Sequence, residues 1–109
     1  MKTTALLAST LLAIAVPVAS ADEGRMAQGK KVFSETAQPS CTICHTLNDA
    51  GSSGAIGPDL DELKPSQKQV REAVRSGVGV MPAFGESLSE DDIDAVAFYV
   101  ASITGGATE

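Results

Sequence analysis

Residues 41 to 45 of this 109-residue chain read CTICH, and they hold both of its cysteines and its sole histidine. Two thiols and an imidazole in that order offer three kinds of chemistry: a zinc site, a redox disulfide, or covalent capture of a haem. Structural zinc takes four thiolate or imidazole ligands, and Cys41, Cys44 and His45 supply three. A thioredoxin-like disulfide belongs with βαβ units, and the chain contains no convincing strand. C-x-x-C-H is the attachment signature of a c-type haem. The two thiols add to vinyl groups on one edge of the macrocycle, and His45, next in line, turns onto its face to ligate iron.

Iron held in this way needs a sixth ligand or keeps an open position. An open position would mean gas binding or peroxidase chemistry. Beyond the first residue the chain has two methionines, Met26 and Met81. Met26 falls in an amphipathic stretch, where methionine serves as a gap-filler in a core. Met81 falls in GVGVMPAFG, whose glycines let a loop fold close over a flat ligand, and Pro82 biases Met81 toward extended backbone. Met81 is the candidate sixth ligand.

What positions these residues must be helical. DEGRMAQGKKVFSE, residues 22 to 35, places Met26, Gly29 or Lys30, and Phe33 on one side at three- and four-residue steps. Residues 47 to 57, LNDAGSSGAIG, read as a polar, glycine-rich loop with nothing to pack. A second helix is expected from about Ser66 to Ser76: Ser66 and Gln69 have capping-box spacing, and Gly77 stands where a helix C-terminus favours glycine. Val70, Ala73 and Val74 form its apolar face. In the last helix Ser89 is the cap, Asp92 the acid three residues on, and Leu88 with Ile93 the hydrophobic staple. Ile93, Val96, Ala97, Val100 and Ile103 trace one stripe, which Gly105 and Gly106 end. The fold class is therefore all-α, compact, with three to five helices and long loops.

Such a domain has little to bury. It lacks Trp, and its aromatics are Phe33, Phe84, Phe98 and Tyr99. Domains this small are marginal without a staple, and a porphyrin walled by Leu60, Leu63, Val70 and Val74 would supply the missing apolar mass.

The first 21 residues read as a secretory signal. Lys2 gives the positive start, an apolar run follows, Pro17 breaks it, and Ala19-Ser20-Ala21 supplies small residues for cleavage after Ala21. The run from Ala5 to Ala19 is 15 residues, short of the roughly 20 that a membrane span needs. The expected product is a single domain of residues 22–109 in the periplasm, with no membrane insertion after processing. Net charge is −6 for the whole chain, and −7 once Lys2 is removed with a leader that carries no acid. Nucleic acid and anionic lipid are excluded as partners, because both would be repelled.

With these motifs in place, the chain resembles the class I monohaem cytochromes c over nearly all of residues 24 to 104. GKKVF at 29–33 is similar to that family's N-terminal helix motif, GPDL at 57–60 follows the attachment site as in the family, VMPAF at 80–84 is similar to its methionine loop, and DAVAFYV at 94–100 to its last helix. The resemblance implies one haem c, covalent through Cys41 and Cys44, with His45 the proximal ligand and Met81 the distal one. It further implies that Pro58 offers its carbonyl to the other nitrogen of His45, and that Gly29 and Phe33 pack on the last helix near Tyr99. A carrier of single electrons follows, not an enzyme.

Within the family, ADEGRMAQGKKVF, the loop NDAGSSGAIGPDLDELKP and GVGVMPAF most resemble small periplasmic cytochromes that serve molybdenum sulfite dehydrogenases. That resemblance implies a sulfite dehydrogenase as donor, and a terminal oxidase or another cytochrome as acceptor. A different periplasmic dehydrogenase or respiratory complex is the alternative. The residues expected to flank the haem edge, Thr42, Ile43, Val78, Gly79, Val80 and Ala83, carry no charge.

Overall fold

The acids that crowd residues 90 to 92 open α5 (Glu90–Thr104), the longest helix among the described residues. Its N-cap Ser89 accepts the backbone N–H of Asp92 (3.1 Å), and Glu90, Asp91 and Asp92 meet the positive end of the helix dipole. Gly105, in the left-handed region at φ 85°, closes it. The helix before it, α4 (Gln67–Ser76), begins with a complete capping box between Ser66 and Gln69 and ends at Gly77. The structure, a computed structural model, describes residues 1–15 and 19–109. Pro17, the expected break in the leader, lies outside the described residues. Residues 1–15 are exposed and form no regular element. Among the described residues no helix is long and apolar enough to cross a membrane.

The N-terminal helix α1 (Ala19–Lys31) starts three residues before the expected Asp22, and it ends differently from the sequence reading. Instead of running to Glu35 as an α-helix it widens into a π-turn, Val32–Thr36, where the Ala37 N–H reaches back to the Val32 carbonyl (3.0 Å). The wider turn leaves Val32, Phe33 and Ala37 all buried. Two one-turn helices complete the set, α2 (Cys41–Cys44) and α3 (Leu60–Leu63).

α1 and α5 cross at Gly29, where a Cβ would lie 2.2 Å from the Ala95 carbonyl oxygen and 2.4 Å from the Tyr99 Cβ. Only hydrogen fits between these backbones. The crossing brings Phe33 edge-on to Tyr99, with ring centroids 6.2 Å apart. Around them a single core gathers Val32, Leu47, Leu60, Val74, Phe84, Leu88, Ile93, Val96 and Val100, with Met26 packed against it.

Two expectations need correction. The segment 47–57 is not a loop with nothing to pack: Leu47 is 0% exposed, and Thr46–Leu47 (β1) pairs antiparallel with Ser52–Ser53 (β2). The short ladder is reinforced by the Leu47 N–H donating to the Ser52 hydroxyl (3.1 Å). On α5, Ile103 leaves the expected stripe and is 38% exposed. Thr104 takes the inward place, its hydroxyl satisfied by the Val100 carbonyl (2.8 Å), while Ala95, Tyr99 and Ala101 widen the buried face.

This polar segment is tied to the helix crossing through Tyr99, whose hydroxyl donates to Asp49 (2.5 Å). Asp49 also pairs with Lys30 (3.4 Å). The phenol's hydrogen bond, and then Lys30, hold the Asp49 carboxyl below the usual carboxylate range, whereas burial, followed by the carboxylate itself, pushes the Tyr99 phenol far up. A carboxyl with a depressed folded pKa contributes stability above its unfolded value, and that contribution is lost as pH falls through the folded value. Tyr99→Phe is therefore expected to cost about 1 kcal/mol near neutrality, discounted because Asp49 is partly exposed. The variant's deficit should shrink as pH drops below about 4. Urea titrations of both proteins at neutral and acid pH check this, and a deficit that does not change with pH would remove Asp49 from the account.

Candidate functional site

The cysteine turn is fastened at both ends. At its start Ser40 caps α2 by accepting the Thr42 N–H (3.3 Å), and the same hydroxyl lies 3.2 and 3.1 Å from the carbonyls of Phe33 and Ser34 in the π-turn. At its end the His45 N–H donates to the Cys41 carbonyl (3.0 Å), and the Gly57 N–H donates to that of Cys44 (2.7 Å). Gly54 lies so close beneath the turn that a Cβ would sit 2.6 Å from the Ile43 oxygen. The glycines that look like loop punctuation in the sequence are what allow the segment 51–57 to underlie the cysteines.

His45 is gripped by the same segment. A Cβ on Gly57 would lie 2.7 Å from the imidazole Cε1, so the chain slides past the ring in contact. Nδ1 of His45 is 2.7 Å from the Pro58 carbonyl oxygen. A carbonyl has no proton to give, so Nδ1 carries the hydrogen and the neutral ring keeps its lone pair on Nε2. That is the tautomer a metal ligand needs, and the contact orients the ring as well.

Met81 is placed by a tight turn. Val78 and Met81 exchange backbone hydrogen bonds (2.9 and 3.2 Å) around Gly79, which is left-handed at φ 56°. Gly77 is also left-handed, at φ 71°, and a Cβ there would lie 2.7 Å from the Met81 carbonyl oxygen. The far side of the loop is tied to the end of α4, with the N–H groups of Phe84 and Gly85 donating to the carbonyls of Val74 and Arg75 (2.8 and 3.2 Å).

Between the turn that carries His45 and the loop that carries Met81 lies a cavity of about 270 Å³. Its walls bring Cys41, His45 and Met81 together with Leu60, Leu63, Val70 and Val74. A smaller cavity of about 60 Å³ adjoins Cys41, Cys44, His45 and Met81 from the other side. The expected ligands Cys41, Cys44, His45 and Met81 and the expected walls Leu60, Leu63, Val70 and Val74 thus converge on the two cavities. Pro58 stands behind His45, Met26 packs on the core, and Thr42, Ile43, Gly79, Val80 and Ala83 line neither cavity. Burial pushes the Cys41 thiol up to about 11. Among the described residues no three His, Cys, Asp or Glu side chains are grouped to hold a bare metal ion. Thiols, an imidazole with a free Nε2 and a thioether around apolar walls fit a haem. Sequence reasoning did not place Phe33, Pro65, Ala73, Val96 or Val100 at this cavity, nor did it place Gln69 there. The only sequence signal of Gln69 was the capping box, which says nothing of a cavity.

Comparison with known proteins follows the same lines. Residues 24–100 match the family described as cytochrome c oxidase, cbb3-type, subunit III. The chain is 33% identical over 97 residues to the cbb3-type oxidase subunit CcoP of Azospirillum sp., covering 80% of this chain and 31% of that one. It thus spans under a third of that subunit's length. It is 34% identical over 108 residues to cytochrome c6 of Picosynechococcus sp., covering 85% of this chain and 83% of that one. Among solved structures it superposes on the c-type cytochrome SorU from Sinorhizobium meliloti with a TM-score of 0.73 and 46% identity, covering 80% of this chain and 99% of that one.

Proposed function

The chain belongs to the cytochrome c family as a monohaem class I member with one covalent haem c and the role of electron carrier, and from that premise we propose its ligands, its donor and its place of work. Cys41 and Cys44 would hold the haem as thioethers, and His45, through Nε2, and Met81 would hold its iron. The observation that carries the ligand assignment is the 2.7 Å contact of His45 Nδ1 with the Pro58 carbonyl, because it leaves the other nitrogen bare beside the cavity that Met81 also lines. When bound, the haem supplies a one-electron change of charge at iron. With His45 and Met81 both holding the iron no position would be left for a substrate, and the residues present suit a carrier of electrons. The thioether of Met81 favours the reduced state and raises the potential. Apolar walls such as Leu60, Val70 and Val74 act in the same direction, since they disfavour the extra charge of the oxidised state.

The donor is a periplasmic sulfite dehydrogenase, and electrons pass on to a terminal oxidase or another cytochrome. Support for this choice comes from the N-terminal motif, the 48–65 loop and the methionine loop, which resemble cytochromes serving such enzymes. The likeness to SorU agrees with it. Export of residues 22–109 follows from the leader. Contact with the donor is made through an uncharged face: Ile43, Val78 and Val80 are exposed, Val80 by 89%, while the net −7 of residues 22–109 steers the protein toward a basic rim. Such encounters are small, burying under about 1,200 Å².

Stopped-flow mixing of the oxidised, exported cytochrome with the sulfite-reduced dehydrogenase of the same cell tests this reading. The protein used should have a mass beginning at Asp22. Rapid reduction that slows as salt is added is the expected result. Absence of reduction would discard the sulfite enzyme as donor, and rates indifferent to salt would discard the steering.

A further inference from the structure

Among the side chains that line the 270 Å³ cavity, Gln69 alone is an amide, and no Lys, Arg, Asp or Glu lines it among the described residues. Its side chain is also half committed. The Gln69 Oε1 accepts the Ser66 N–H (2.9 Å) while the Gln69 N–H donates to the Ser66 hydroxyl (3.1 Å). The cap restrains the oxygen of this exposed side chain at the cavity wall, and Nε2 keeps two N–H donors for some other acceptor. A haem brings two carboxylates on its propionate arms into a cleft whose walls are otherwise hydrocarbon. A carboxylate beside such a surface needs a donor or water.

We propose that the Gln69 side-chain amide donates a hydrogen bond to a haem propionate, so that the capping box of α4 doubles as an anchor for the cofactor's acidic edge. The inference rests on the haem-binding reading and deepens it. Gln69 is a positioning residue: it touches the cofactor at its edge and takes no part at the iron. Its use of both ends of one amide explains why a helix cap made of neutral residues stands at this point of the cavity. Glutamate would cap α4 equally well by accepting the Ser66 N–H, but would face the propionate with like charge.

That difference supplies the test. In the reduced, diamagnetic holoprotein, the Gln69 side-chain amide protons, read by ¹⁵N–¹H NMR, should exchange with solvent at least tenfold more slowly than those of Gln38, an exposed glutamine whose amide bonds only the Glu35 carbonyl (3.1 Å). Gln69→Glu should keep the stability of the parent, because the cap survives, yet lower the reduction potential more than Lys68→Gln, which makes the same change in net charge one residue away. Amide protons of Gln69 that exchange as fast as those of Gln38, or equal potential shifts in the two variants, would overturn the anchor. In either case an intact c-type absorption spectrum keeps the haem reading standing, and loss of that spectrum in the parent would sink both.

Discussion

Met81→Ala is expected to leave the haem attached and to lower its reduction potential by an amount on the order of a few tenths of a volt, within the roughly 0.8 V that axial ligands span. The two halves of this result have separate causes. Attachment depends on Cys41 and Cys44, which sit in a turn fastened by Ser40 and Gly57 and owe nothing to the methionine. The potential depends on a soft sulfur that favours the reduced iron, and alanine has none. The loop itself should survive, because Val78 and Met81 are joined through backbone groups that the substitution retains. The sulfur-to-iron absorption band at the red end of the spectrum should vanish with the potential change. If band and potential both persist, another residue is the ligand, and Met26, packed against the core from α1, is the one to replace next.

Gly29→Ala is expected to destabilise the protein by about 2 kcal/mol, against the direction that helix propensity gives. Alanine in a helix interior is favoured over glycine by about 1 kcal/mol. At Gly29 that gain is opposed by a Cβ placed 2.2 Å from the Ala95 oxygen and 2.8 Å from its carbonyl carbon. These are backbone atoms in the middle of α5, so relief requires the two helices to part, and overpacking of this kind costs about 1–3 kcal/mol or more. Parting them also loosens Phe33 from Tyr99. Gly24 lies on the same helix with nothing within 4 Å of its Cβ position, so Gly24→Ala should hold or raise stability. Thermal or urea unfolding of the two holoproteins compares them directly. Equal stabilisation in both would mean that the crossing at Gly29 has room to spare.

Much of this was legible because the signals are local. Ser66 with Gln69, and Ser89 with Asp92, announce two helix starts within four residues each, and both caps formed. The chemistry was legible for the same reason: CTICH is five consecutive residues, and a methionine flanked by glycines and proline reads as a loop. What the sequence concealed depends on distant partners. Leu47 looked like the edge of a polar loop because its burial comes from a core assembled by helices on either side of it in the chain. The π-turn at Val32–Thr36 is made by backbone hydrogen bonds and has no side-chain cap to announce it. Ile103 and Thr104 exchange roles because the core ends there, and a helical stripe extrapolated past its last neighbour has nothing to meet. The contact between Pro58 and His45 could be named only through family resemblance, since thirteen residues separate them.

The methionine loop carries a consequence for speed. It is a hairpin clamped at its neck: Val78 is bonded to Met81, a bare glycine at 77 lets the Met81 carbonyl press close, and Phe84 and Gly85 are tied back to the last turn of α4. With Met81 as the proposed ligand, the backbone that carries its sulfur is held against retreat when charge arrives at the iron and against advance when it departs. A backbone held in this way would have little rearranging to do between the two charge states. Nuclear motion within the carrier is then a small part of the barrier to each transfer, and the pace of the traffic falls to the encounter between two protein surfaces.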